Sequence, residues 1–530
     1  MKLWKKGIPM AAALAFGAAV AASAAPSRIV YSWSGNAGPM NAHMYSPNQM
    51  YAQRMVFDSL VACGPDGTAQ PALAESWDIS GDGKVYTFHM RKGVKFSDGT
   101  ACDAHAVALN FDAIMKHADR HRWIAFCDQL ESWRALDGDT FQLTMKNPYY
   151  PTLMELSLIR PFRMMAPASI PDDLDTLKGI RGRIGIGTGP WMLAEIKKGE
   201  YDLFRANPYY WGEKPKVDEV LVKVIPDPTA RAMAFDTGEI DLIFGAASGQ
   251  IDMDTFARYQ NTPGVVTKIS KPQSSRNLAI NSGRFPTDDL RVRRAILHGV
   301  DKDALVKHVF MGAEHRSDAL FSPLFPYCDV KLTPYLYDPE KAKALLEEAG
   351  WKLEPGASFR SKDGKSLTVD FCFKGNDALM KAVAEVLQGD LRKLGVELRL
   401  LGEEADSYLK RQKTGEFGMI FASTWGAPYD PASFCSSMRS PSHADYMAQI
   451  GLPEKAELDR KINAVMLTTD VKERQDLYAW ILATLHEEAV YLPLTYPTNV
   501  MVHREDLRGA EFGPMQYDVL FEKMYWASGK

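Results

Sequence analysis

Apolar residues between positions 338 and 422 repeat first with the period of a helix and then with the period of a strand. Asp338 and Pro339 are typical of a helix start, and Gly350 is typical of a helix end. One face between them carries Ala342, Leu345, Leu346 and Ala349. The pattern therefore predicts a helix from 339 to 349.

A strand, a helix and a second strand are predicted directly after it. Apolar residues alternate at 367–373 and again at 396–400, and Asn376 or Asp377 begins a helical pattern that runs to about Leu394. A connection of this length implies parallel strands joined by a right-handed crossover, with helices on both faces of the sheet. Residues 418–422 predict another buried strand, so the turn at 424–429 lies at the edge where open α/β sheets bind ligands.

The first 24 residues predict a secretory signal peptide. Lys2, Lys5 and Lys6 precede an apolar run over 8–20, and small residues at Ala22 and Ala24 suit cleavage before residue 25. The run is too short to span a bilayer, and no later stretch reaches about 18 uninterrupted apolar residues. We therefore expect an exported, soluble mature protein.

Length and charge narrow the class of protein. A chain of 530 residues that is 46% hydrophobic exceeds what one core usually supports, so two or more lobes are expected. The formal net charge of −4 becomes about −7 without the three signal-segment lysines, which argues against a nucleic-acid partner. Six scattered cysteines form no C-x-x-C pair, so zinc-finger and redox motifs are disfavoured, while disulfide pairing stays open.

Export, size and an α/β lobe fit either a secreted binding protein or a secreted hydrolase. The chain has no G-x-S-x-G motif, no H-E-x-x-H motif and no S-x-x-K motif tied to S-D-N or K-T-G. Their absence weakens the hydrolase alternative, and we expect a protein that is not an enzyme.

Short motifs spread along the whole chain resemble a known family. Three segments resemble signatures of the dipeptide, oligopeptide and nickel solute-binding proteins of ABC transporters: 91–99 (RKGVKFSDG), 187–191 (GTGPW) and 207–212 (NPYYWG). Five more resemble its nickel-binding members: 45–50 (YSPNQM), 120–123 (RHRW), 160–163 (RPFR), 424–431 (TWGAPYDP) and 441–445 (PSHAD). The first three belong to the scaffold of all members, whereas the other five carry ligand information.

The resemblance implies a two-lobed periplasmic binding protein fold, the Venus flytrap, with mixed α/β sheets and a hinge near residues 270 and 497. Lobe I would comprise 25–270 and 497–530, and lobe II 271–496. The implied function is that of the periplasmic component of an ABC importer, which delivers its solute to a permease in the inner membrane. The solute would be nickel(II), already bound by a small carboxylate-bearing chelator such as histidine. A monomer is expected.

The resemblance also assigns ligand roles. His443 would bind the metal, since neutral imidazole suits nickel, although a lone histidine is more often structural. Arg120 and Arg160 would hold chelator carboxylates in two-pronged hydrogen bonds. Internal salt bridges are the alternative for both arginines, and nearby Arg122 and Arg163 leave the choice of residue open.

Aromatic side chains would enclose the chelate and exclude water. The expected lining residues are Trp123, Trp425, Tyr45, Tyr429 and Met50, with Ser46 as a hydroxyl that hydrogen-bonds the chelator. Core packing is the alternative for the apolar ones. The chain departs from the nickel-binding pattern at Tyr408 and Leu409, where a cleft tyrosine is displaced, and at Tyr517, which replaces a threonine. Ligand size can therefore differ.

The sequence also contains a histidine pair and leaves other ligands open. His117 and His121 have the spacing of two neighbours on one helix face, and a solvated or loosely metal-binding face is the favoured interpretation. Peptide-binding relatives place an acid after the tryptophan that corresponds to Trp425, but residues 426–428 (GAP) contain none. Peptide, haem and opine-type metallophore binding remain the alternatives within the fold.

Overall fold

The structure is a computed structural model that describes residues 26–44, 49–182, 184–441 and 443–527. The predicted signal peptide, residues 1–24, lies outside the described residues.

Two large mixed sheets form the centre of the fold. The strands of the seven-stranded sheet are, in spatial order, Val265–Ile269, Asn499–Arg504, Leu242–Ala246, Arg28–Trp33, Glu219–Val224, Tyr201–Ala206 and Trp191–Lys197. Those of the six-stranded sheet are His315–Arg316, Tyr491–Tyr496, Arg276–Ile280, Met419–Phe421, Thr368–Lys374 and Glu397–Glu403. The chain passes between these sheets at 270–275 and again at 497–498. The lobe boundaries stay a prediction.

The described ranges also contain a third, antiparallel sheet and three two-stranded sheets. The four-stranded sheet has the order Ala74–Ile79, Val85–Met90, Thr140–Met145 and Leu130–Ala135. The two-stranded sheets pair Val61–Cys63 with Ala69–Pro71, Ser361–Lys362 with Lys365–Ser366, and Leu507–Arg508 with Tyr525–Trp526.

Helices cover the sheets and fill the connections. The α-helices are Met50–Val56, Ala104–Met115, Ala125–Gln129, Thr152–Leu156, Pro228–Asp236, Ala247–Gln250, Met253–Tyr259, Leu290–Gly299, Lys302–His308, Pro339–Glu348, Ala378–Arg392, Ala405–Thr414, Ala432–Ser437, Ala444–Gln449, Lys455–Leu467 and Val471–Glu487. The 3₁₀ turns of the described ranges are Ala118–His121, Pro167–Ser169 and Phe521–Lys523. None of the helices in the described ranges combines the length and the apolar character that crossing a membrane requires.

The strand–helix–strand unit predicted from the apolar pattern is confirmed. Strand Thr368–Lys374 pairs in parallel with Glu397–Glu403 on one side and with Met419–Phe421 on the other. The carboxylate of Asp377 accepts a hydrogen bond from the Met380 amide at 2.9 Å and so caps the intervening helix. This arrangement brings the carboxyl end of Met419–Phe421, and the loop after it, to the region between the two large sheets.

The largest hydrophobic cluster joins residues from distant parts of the chain. Phe111, Phe126 and Phe162 pack in the same cluster as Phe434 and Tyr478. All six cysteines are buried free thiols, which answers the question that their spacing left open.

Candidate functional site

A cavity of about 570 Å³ lies where the two crossing segments meet the loop after strand Met419–Phe421. Its described lining residues are Met50, Trp123, Arg160, Ala246, Gln273, Ser274, Arg276, Ser423, Thr424, Trp425, Tyr429, His443, Pro497, Thr498, Asn499, Gln516 and Tyr517. The volume is that of a typical small-molecule site.

Asp430 fixes the loop that carries Trp425 into the cavity. Its buried carboxylate accepts hydrogen bonds from the backbone amides of Trp425 at 3.2 Å and Gly426 at 2.9 Å. Burial raises the pKa of Asp430 to about 7, although hydrogen bonds from Thr424 and these two amides oppose the rise. The side chain is therefore used inside its own loop.

Gly426 allows the same loop to approach the crossing segment closely. Its φ is +81°, and a Cβ atom there would lie 2.3 Å from the carbonyl oxygen of Gln273. The Thr424 hydroxyl in turn accepts a hydrogen bond from the Ser275 amide at 2.9 Å. Loop and crossing segment are thus held together by a close backbone approach and a side-chain hydrogen bond.

Three aromatic rings form one wall of the cavity. The rings of Trp123 and Trp425 lie edge to face with centroids 5.6 Å apart, and Tyr429 lies 6.0 Å from each of them. Such rings supply a large, rigid apolar surface that excludes water from a ligand.

His443 lies at the edge of this wall, with its ring centroid 6.0 Å from that of Trp425. It is half-buried and immediately precedes helix Ala444–Gln449. Burial lowers the pKa of His443, which keeps the imidazole neutral at pH 7. No described residue hydrogen-bonds either ring nitrogen, so the imidazole is available to a metal.

Arg160 is the predicted carboxylate-binding arginine that lines the cavity. It lies close enough to Tyr429 and Tyr517 for its charge to act on both phenols. Arg120 is exposed on turn Ala118–His121 and is not among the described lining residues. Its clamp role stays a prediction.

Arg122 and Arg163, the alternative candidates for binding the chelator carboxylates, have other partners. Arg122 is exposed and pairs with Asp119 at 2.8 Å. Arg163 is buried and donates a hydrogen bond to the carbonyl of Phe57 at 2.5 Å. Neither is among the described residues of the cavity wall.

The other predicted lining residues divide into two groups. Met50 lines the cavity, at the first position of helix Met50–Val56. Tyr45 and Ser46 lie outside the described residues.

The residues that depart from the nickel-binding pattern do not all lie at the cavity. Tyr517 lines the cavity. Tyr408 is buried away from it, and its hydroxyl donates to the carbonyl of Phe421 at 3.3 Å. Leu409 is 48% exposed.

The interpretation of His117 and His121 as one solvated helix face was wrong. The helix ends at Met115, so the two histidines lie in a different local geometry. His117 contacts Asp175 at 2.9 Å, and His121 is fully buried.

Polar residues on the cavity floor were missed by sequence reasoning. They are Gln273, Ser274, Thr498, Asn499 and Gln516, from the two crossing segments and the C-terminal region. Arg276 also lines the cavity, but its guanidinium is bound to Glu314 at 2.7 Å. The pairing neutralises most of its charge. Several of these polar residues are close in sequence to the predicted hinge near residues 270 and 497. That proximity was the signal that could have indicated them.

Residues 68–446 match the family described as bacterial extracellular solute-binding proteins, family 5 middle. The chain belongs to this family. Family 5 members are transport proteins that bind solutes without converting them, so the expectation of a protein that is not an enzyme is confirmed.

Individual family 5 relatives cover nearly the whole chain. It is 45% identical to the nickel-binding periplasmic protein of Escherichia coli K12, over 97% of both chains. Its structure matches that of NikA from Brucella suis in complex with Fe(III)-EDTA, with a TM-score of 0.92 and 48% identity over 94% of this chain and 99% of that one. Identity to the E. coli dipeptide-binding protein is 27%, over 94% of both chains. The predicted two-lobed α/β binding-protein fold and its family are confirmed.

Proposed function

We propose that this protein is the solute-binding component of an ABC importer and carries nickel(II) as a complex with a small carboxylate-bearing chelator. The observation that carries the proposal is one neutral, accessible imidazole, that of His443, in a cavity that also contains the guanidinium of Arg160.

The metal needs more donors than the cavity wall offers. Nickel(II) takes about four or more nitrogen, oxygen or sulfur ligands. Within the described ranges, no group of three or more His, Cys, Asp or Glu side chains could hold a metal ion. His443 is the single such residue among the described lining residues. An organic chelator therefore supplies most of the coordination sphere.

Charge and surface chemistry describe that chelator. Arg160 binds a carboxylate through parallel N–H···O hydrogen bonds, which lysine cannot reproduce. Trp123, Trp425 and Tyr429 enclose the apolar part of the complex. Histidine fits, since it offers imidazole and amine nitrogens to the metal and a carboxylate to the arginine. The similar NikA structure holds another carboxylate chelate, Fe(III)-EDTA.

Peptides are the main alternative, because relatives at 27% identity are dipeptide-binding proteins. A peptide presents a charged amino group that needs a carboxylate partner when buried. The cavity lining, as far as the structure describes it, contains no Asp or Glu side chain. This favours the metal chelate over peptides, while haem and opine-type metallophores stay alternatives.

The remaining parts of the proposal concern place and partners. Residues 1–24 direct the chain to the periplasm, where it acts as a monomer and presents its ligand to an inner-membrane permease. Lobe I comprises 25–270 and 497–530 and lobe II 271–496, and they close over the chelate at the crossing segments. Arg120, Tyr45 and Ser46 complete the contacts from the amino-terminal side.

Native mass spectrometry of the protein purified from its own periplasm tests the proposal. The expected spectrum shows a retained mass equal to nickel plus a carboxylate-bearing molecule. A retained peptide or porphyrin would refute it and favour the corresponding alternative. The His443→Ala variant is the control, since it should lose the metal adduct.

A further inference from the structure

Tyr517 lines the cavity close to the aromatic loop, since its phenol acts electrostatically on Tyr429. It follows the crossing at 497–498 and strand Asn499–Arg504, and its half-buried ring lines the cavity. The ring packs against a small buried cluster that contains Met515, as does Met50, which also lines the cavity. A bulky side chain thus limits the space on this side.

The hydroxyl of Tyr517 is an available hydrogen-bond donor. No residue in the described part of the chain is hydrogen-bonded to it. Burial raises the pKa of Tyr517, and the charge of Arg160 opposes this rise. Burial likewise raises the pKa of Tyr429 to about 12, again opposed by Arg160. Both phenols are therefore neutral donors at pH 7, and the charge of one guanidinium acts on both.

The backbone around Tyr517 is anchored on both sides. On one side, the side-chain amide of Gln516 donates to the carbonyl of Trp425 at 3.3 Å, and that of Asn499 donates to the carbonyl of Gln516 at 2.5 Å. On the other side, the Asp518 carboxylate lies 3.5 Å from the guanidinium of Arg54.

Arg54 also holds the residues that follow Asp518 in place. Its guanidinium pairs with Glu522 at 2.8 Å. It belongs to helix Met50–Val56, whose first residue lines the cavity. The backbone that carries Tyr517 is therefore held in place before ligand arrives, which reduces the entropy that binding would otherwise lose.

We propose that Tyr517 is a specificity-determining residue. Its hydroxyl donates a hydrogen bond to the ligand carboxylate that Arg160 holds, and its ring sets the upper size of the chelate on that side. This inference rests on the proposed function. The preferred ligands are small chelates that present one carboxylate to the guanidinium of Arg160 and the phenol of Tyr517.

The chemistry explains why a neutral donor suits this position. A carboxylate has about four lone-pair sites and is poorly satisfied by one arginine alone. A phenol supplies the additional donor without adding a further positive charge at this position.

Calorimetry with two probes tests the hydrogen bond. Nickel with L-histidine presents a carboxylate, and nickel with histamine offers the same nitrogen donors without one. The Tyr517→Phe variant should bind nickel–histidine about 10-fold or more weakly, because a hydrogen bond to a charged group is lost. Its affinity for nickel–histamine should equal that of the wild type. Tyr525→Phe is the matched control, since Tyr525 is exposed and lies outside the cavity lining.

The Tyr517→Thr variant tests the size limit independently. The ratio of affinities for nickel–EDTA and nickel–histidine should rise several-fold, because the smaller side chain opens the wall. Equal nickel–histidine affinity in wild type and Tyr517→Phe, or an unchanged ratio in Tyr517→Thr, would overturn the corresponding half of the inference.

Failure here is distinguishable from failure of the proposed function. If His443→Ala loses nickel–histidine while Tyr517→Phe retains it, the function stands and the role of Tyr517 falls. If the wild-type protein binds neither nickel chelate, both are overturned.

Discussion

The indole of Trp123 meets the indole of Trp425 edge to face, with ring centroids 5.6 Å apart and an angle of 71° between the planes. Trp123 belongs to predicted lobe I and Trp425 to predicted lobe II. A second contact across the same boundary is the hydrogen bond from the Ser433 hydroxyl to the Glu155 carboxylate at 3.2 Å. Across the predicted lobe boundary, these contacts describe a closed cleft.

Ligand should therefore compact the protein. A ligand that prefers the closed state shifts the population toward it. Small-angle scattering should show a smaller radius of gyration with nickel–histidine than without, and tryptophan fluorescence should change in parallel. His443→Ala at the same chelate concentration is the control and should stay in the ligand-free state. Superimposable profiles with and without ligand would count against closure on binding.

Replacing Arg160 with Ala should weaken binding of the carboxylate-bearing chelate. The loss leaves a buried carboxylate poorly satisfied, which commonly costs about 2 to 5 kcal/mol, or roughly 30-fold or more in affinity. Arg122→Ala is the matched control, because Arg122 is exposed and pairs with Asp119 instead. Calorimetric affinities that are equal in the two variants would remove Arg160 from the site.

Acid should destabilise the fold through His43. Its ring nitrogens hydrogen-bond the Thr176 hydroxyl and the Asn110 side chain, both at 3.1 Å. Burial lowers the pKa of His43 to about 3. Between its unfolded value of roughly 6.5 and this folded value, the unfolded chain binds the extra proton, so its stabilising contribution is present above pH 6.5 and lost as pH falls.

Urea unfolding at two pH values measures this effect. Between about pH 7.5 and pH 5, His43 should account for a loss of about 2 kcal/mol in the free energy of unfolding. The His43→Gln variant should be less stable at the higher pH but should show a correspondingly smaller loss on acidification. An identical pH dependence in both proteins would contradict a buried neutral imidazole.

Local sequence signals were sufficient for one part of the fold. The predicted helix after Asp338 is observed as Pro339–Glu348, and the predicted strand at 367–373 as Thr368–Lys374. Apolar period, caps and turn residues all act within a few residues, so they are readable from sequence. His117 and His121 show the limit of this reasoning, because spacing alone did not reveal that the helix ends before them.

The candidate site was only partly predictable. Residues in distinctive motifs, such as Trp425 and His443, do line one cavity. The floor residues Thr498 and Asn499 have short polar side chains with no periodicity, and they meet the loop only because the chain crosses twice between the sheets. Contacts of that kind depend on the whole fold, so no local pattern indicates them.

We propose that the protein recognises its metal without a multi-residue metal site. One calorimetric comparison tests this most directly. Nickel alone and nickel with L-histidine are titrated into the wild-type protein and into His443→Ala at about pH 7.5, above the usual histidine pKa of roughly 6.5, so that free imidazole is neutral. The account predicts poor binding of nickel alone, much tighter binding of nickel with histidine, and loss of most of that affinity in the variant. Tight stoichiometric binding of nickel alone, unchanged by histidine and by the His443→Ala substitution, would contradict it.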